Sequence, residues 1–100
     1  MFLVRDVFQL KFGKAREALA LLQEGLDVNR RAGFGDIPMR VLTDVVGSYY
    51  TVVLESTFNT LADYERMGQE TLGKEEWKAW YQKFVPLVES GHREIFRIVG

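Results

Sequence analysis

Glu94-Ile95-Phe96-Arg97-Ile98-Val99 is the last strand-like stretch of the chain, the end of an alternating run that starts at His92. With it in place, four strand-like and two helix-like segments stand in the order β-α-β-β-α-β. With right-handed crossovers, that order forms a four-stranded antiparallel sheet with both helical regions on one face, the ferredoxin-like split βαβ plan. The fold class is α+β, and one face of the sheet is left without helices.

Upstream of the last strand, Gly91 reads as the end of a helical region. Its second piece, Lys74–Val88, carries Trp77, Tyr81, Phe84 and Val88 at i, i+4, i+7 and i+11, with Pro86 set to kink or fray the last turn. Its first piece starts at Thr60, an N-cap with Asp63 three residues on, and runs through Leu61, Tyr64 and Met67; Gly68 and Gly73 weaken the middle. Before it, Met39–Val45 and Tyr49–Ser56 are β-rich runs joined at Gly47-Ser48, a hairpin. Gly33–Pro38 is a loop. Lys14–Ala32 is a helix of strong formers, with Ala15, Leu19, Leu22 and Leu26 at helical spacing and Ala18, Leu21 and Val28 widening the stripe. Phe2–Phe12 is the first strand, broken by Gly13.

Alternation divides each strand between two faces. The more apolar set belongs against the helices: Phe2, Val4, Phe8 and Leu10; Met39 and Val41; Tyr50, Val52 and Leu54; Phe96 and Ile98, with Asp6, His92 and Glu94 on the same parity. The other face then carries Leu3, Val7, Leu42, Val53 and Ile95 among Arg5, Arg40, Arg93 and Arg97, with only Asp44 and Glu55 as acids. That mixture suits a second copy of the sheet packed across it, with a partly polar cavity between.

One hundred residues make one domain, 1–100. The chain is 47% hydrophobic and 27% charged, with a net charge of −1, so no general field draws nucleic acid or an anionic membrane. No apolar stretch approaches the length of a membrane span, and charge at Arg5 and Asp6 arrives too early for a signal peptide. The absence of cysteine removes disulfides, thiolate nucleophiles and cysteine metal sites, and permits a cytoplasmic location.

Motifs of chemistry are few. His92, the single histidine, shares a strand face with Glu94 and is the one candidate for catalysis as a base oriented by a carboxylate. One histidine without cysteine rarely makes a metal site, and no cofactor motif is present. Ser48, Ser56 and Ser90 lie in no Gly-x-Ser-x-Gly elbow, and Gly33-x-Gly35 precedes a strand, which makes it a turn and not a phosphate loop. Arginines on the bare face are suited to a carboxylate or other anion. Trp80 lies off the Trp77/Tyr81 stripe, where it would line a cavity mouth. The candidate ligand-binding residues are Arg5, Arg40, Tyr49, Thr51, Trp80 and Arg97.

These segments resemble a known family. Lys11-Phe12-Gly13-Lys14 resembles the strand-to-helix turn of NIPSNAP-type proteins, in the dimeric α/β-barrel superfamily, with Phe12 where proline is usual. Arg40–Asp44 with Tyr49–Glu55 is similar to that family's central hairpin, Leu61–Glu65, Glu76–Trp80 and Phe84–Val88 to its helical region, and Arg93–Ile98 to its last strand. The resemblance implies a homodimer whose two sheets face each other through the open face. Two functions are open on these grounds. One is a structural or binding module that holds a small organic molecule, anionic or neutral, between the sheets, or holds none. The other is a cofactor-independent monooxygenase or isomerase for an aromatic or polyketide-like substrate, using His92, Tyr49 and Trp80.

Overall fold

The computed structural model describes residues Met1–Gly100. Strand β1 (Phe2–Leu10) is followed by helix α1 (Ala15–Asn29), which ends in a wide turn over Arg30–Phe34. Strands β2 (Met39–Thr43) and β3 (Thr51–Phe58) come next, then helices α2 (Leu61–Leu72) and α3 (Glu75–Phe84), a 3₁₀ turn at Val85–Leu87, and strand β4 (Val88–Arg97). The strands form one sheet in the order β2-β3-β1-β4, with every pair antiparallel. This is the ferredoxin-like α+β fold. No helix is long and apolar enough to cross a membrane.

Local chemistry sets the boundaries. Thr60 caps α2 by accepting the Asp63 N–H at 3.1 Å. Gly33 takes φ +97, a left-handed conformation that releases the chain from α1 and that a Cβ would penalise. The α2–α3 break falls at Gly73, while Gly68 stays inside α2. The β2–β3 connection is longer than a two-residue hairpin turn: Asp44 to Tyr50 lie outside both strands. The Asp44 carboxylate accepts the Thr51 N–H at 2.9 Å while the Asp44 N–H donates to the Thr51 carbonyl at 3.3 Å, and Tyr50 sits at φ +59, so regular pairing ends at this point.

Between sheet and helices, Leu10, Ala18, Leu22, Val52, Phe84 and Leu87 form the core. Val4 and Phe58 are also fully buried. The first three strands bury the expected parity. Strand β4 does not. It starts at Val88, so Gly91 is a strand residue facing Phe8, and a bulge separates the Val88–Leu10 and Ser90–Gln9 pairs. Beyond it, Arg93 pairs with Asp6, Ile95 with Val4 and Arg97 with Phe2, on the helix side; His92, Glu94 and Phe96 face away. Charge decides this register. It sets Arg93 against Asp6 and Glu94 against Arg5, whereas the opposite parity would place Glu94 beside Asp6 on an apolar face.

Candidate functional site

A cavity of about 790 Å³ lies between the sheet and the three helices. Phe8, Leu54 and Met39 contribute its sheet floor, and Leu22, Gly25 and Asn29 of α1 one wall. Tyr64, Met67 and Thr71 of α2 lie on another side. Helix α3 supplies Trp77, Trp80, Tyr81 and Phe84. Spacings of four residues put these rings in two stacked pairs: Trp77 on Tyr81 with centroids 4.7 Å apart, and Trp80 on Phe84 at 5.1 Å. Phe8 meets Phe84 edge-on at 5.1 Å. Trp80 is fixed at its polar end as well, since its indole Nε1–H donates to the Leu21 carbonyl of α1. Gly25 makes room for the ring.

Polar chemistry is concentrated where β1, β4 and α2 meet. Arg93 Nε donates to Asp6 Oδ1 at 2.5 Å, and its Nη1 donates to the Tyr64 hydroxyl. The same guanidinium lies 5.7 Å from the centre of the Tyr64 ring, which packs edge-on against Phe58. Burial alone would lower the Arg93 pKa; the hydrogen bond and charge of Asp6, helped by Tyr64, outweigh it and raise the value. This cluster therefore stays a cation paired with a carboxylate, in a lining of which 14 of 26 residues are hydrophobic and the polar ones include Asn29, Glu65, Gln69 and Thr71.

The open face is balanced in charge. Arg5 bonds Glu55 at 3.0 Å and Glu94 at 2.9 Å, and Arg40 bonds Glu55 at 2.6 Å. The Arg40 hydrogen bond, opposed by burial and reinforced by Arg5, holds the Glu55 carboxyl below its ordinary range. The excess of arginine expected on this face is absent, because Arg93 and Arg97 belong to the other side and Glu94 belongs to this one. Leu3, Val7, Leu42, Val53 and Phe96 surround the charged group.

The six candidate ligand-binding residues lie in separate places. Trp80 lines the main cavity. Tyr49 and Thr51 border a smaller hollow of about 270 Å³ between the β2–β3 connection and the start of α1. Arg5 and Arg40 are in the ion-paired group of the open face. Arg97 lies on the helix side at the end of β4, 5.6 Å from the centre of the Phe2 ring. An inter-sheet site therefore cannot include Arg97 or Trp80. His92 is exposed on β4 opposite Val7 and borders the main cavity next to Arg93, and Glu94, its expected orienting partner, is engaged by Arg5. The sequence reading missed Asp6, Tyr64 and Arg93 as a group. Asp6 on an apolar strand face was the signal for it.

No family model matches the chain, and no curated protein matches it. Solved structures do. A NIPSNAP domain protein from Burkholderia xenovorans superposes with a TM-score of 0.87 over 99% of this chain and 95% of its own, at 18% identity. This chain has the NIPSNAP-domain fold. A NIPSNAP family protein from Agrobacterium tumefaciens gives the same TM-score of 0.87 and identity of 18%, over 98% of this chain and 92% of that one. An antibiotic biosynthesis monooxygenase matches over the full length of both chains, with a TM-score of 0.74 and 13% identity. The resemblance read from the turn, hairpin and helical segments is thus a resemblance of the whole fold.

Proposed function

We propose that this chain is a single NIPSNAP-like domain that binds a small planar aromatic molecule between its sheet and its helices, and that it does so as a cytoplasmic homodimer joined through the open sheet face. The observation that carries the reading is the aromatic wall. Trp77, Trp80, Tyr81 and Phe84 border a cavity of about 790 Å³, a volume typical of sites for small organic ligands. Its one cation, Arg93, is already neutralised by Asp6, so the ligand proposed is uncharged or weakly polar, not a bare anion. Titration with two-ring aromatics, followed by the emission of Trp77 and Trp80, tests it. Saturable quenching in the micromolar range is the expected result; no saturable change with any such ring would sink the reading.

The fold shared with a monooxygenase and the polar group inside the cavity favour a second reading, a cofactor-independent oxygenase or isomerase for an aromatic or polyketide-like substrate. In it, Arg93 and Tyr64 would stabilise a substrate anion in place of His92. Oxygen uptake on phenolic substrates separates the two readings.

A further inference from the structure

Two buried polar atoms beside the cavity have no partner in the protein: Asn29 Oδ1 at the end of α1 and Thr71 Oγ1 near the end of α2. Both residues line the cavity. Thr71 is only 4% exposed. A buried threonine in a helix ordinarily returns its hydroxyl to the carbonyl four residues back, and here that bond is not made. Leaving such an atom unpaired carries the full desolvation cost of the group with no hydrogen bond to offset it. Nothing in the packing requires a hydroxyl at this position, since valine has nearly the same shape and carries no polar atom.

We infer that Thr71 and Asn29 are specificity-determining residues of the cavity, and that its ligand is a planar ring system bearing a hydrogen-bond donor, a ring N–H or a phenolic O–H. The inference rests on the aromatic-binding reading above and adds the ligand's polar edge to it. Both oxygens are closed to solvent in the free protein, so a ligand reaches them only when side-chain rotation, for which helical threonine has two χ1 wells, turns them toward the space that the residues line. Asn29 Oδ1 is an acceptor only, which calls for a donor from the ligand. The rings of α3 take the flat face of such a molecule, while α1 and α2 take its edge.

Indole and benzofuran test this, because they share size and shape and only indole carries an N–H. With the wild-type chain, indole should bind about tenfold more tightly than benzofuran, the scale of one hydrogen bond to a buried group. Thr71→Val should reduce that preference several-fold, leave benzofuran affinity unchanged, and raise the melting temperature of the free protein. Equal wild-type affinities for the two rings would overturn the inference and leave the aromatic-binding reading standing. A Thr71→Val variant that weakens both equally would overturn it in the same way. Failure of both rings to bind would remove the underlying reading, and the inference with it. The wild-type comparison needs no variant, so a poorly folding Thr71→Val would not rescue the proposal.

Discussion

A Cβ added to Gly25 would lie 2.9 Å from the indole ring of Trp80. The ring crosses from α3 to α1 at this point and is bonded there to the Leu21 carbonyl, so it has little freedom to retreat. Gly25→Ala should therefore do two opposed things. It should gain about 1 kcal/mol of helix propensity and lose about 1–3 kcal/mol to overpacking. The net expectation is a lower melting temperature, with a changed near-ultraviolet circular dichroism from Trp80. An unchanged spectrum with a raised melting temperature would show that Trp80 does not rest on Gly25.

Glu55 gives the open face an acid sensitivity of known sign. Its carboxyl, bonded by Arg40 and Arg5, titrates below its ordinary value of 4.5. A depressed folded-state pKa stabilises the fold fully above the unfolded value and is lost as pH falls through the folded one. Stability should thus be level above about pH 5 and decline below about pH 4.5. Glu55→Gln should cost about 2 kcal/mol at neutral pH, as expected for hydrogen bonds to charged groups, and flatten the acid limb of the curve. Chemical denaturation at a series of pH values would show both effects.

How far the fold is legible in the sequence depends on what specifies each element. Periodicity does so for α1, a cap for the Thr60 start of α2, and for β1 to β3 an excess of apolar residues on one parity, as Phe2, Val4, Phe8 and Leu10 outnumber Leu3 and Val7 on β1. Strand β4 has apolar residues on both parities, Ile95 and Phe96 being adjacent, so hydrophobic alternation cannot orient it. Its face is set by the long-range pairs Arg93–Asp6 and Glu94–Arg5, which only tertiary structure brings together. The site follows the same division. The four-residue spacing of its aromatic wall can be read along α3, but the contact of Trp80 with Gly25 and the isolation of Thr71 and Asn29 arise between elements.

Two arginines four residues apart on β4 should behave differently. Arg93 borders the main cavity and ties Tyr64 to Asp6, whereas Arg97 lies over Phe2 at the strand end. Arg93→Ala leaves Asp6 half-buried without its cation, and should weaken aromatic-ring binding about tenfold while costing about 1–3 kcal/mol of stability. Arg97→Ala should leave ring binding unchanged. Calorimetric titration of both variants decides between them, and a binding loss confined to Arg97→Ala would contradict the parity of β4.

The same parity gives a direct test of the proposed dimer. Ile95 is 44% exposed and Phe96 is 48% exposed, so substitution at either removes a similar amount of apolar surface from water. They point in opposite directions, Ile95 toward the helix side beside Val4 and Phe96 toward the open face beside Leu3. If two open faces meet, Phe96→Glu places a charge in the contact, where burial without a partner is costly. Native mass spectrometry and sedimentation should then show the wild type at twice the 11.5 kDa chain mass, with dimer dissociation at least about a hundredfold easier for Phe96→Glu. Ile95→Glu should remain dimeric. A wild type that stays monomeric at high micromolar concentration would end the dimer reading. Equal dissociation by both variants would place the contact at the β4 edge instead of across the open face.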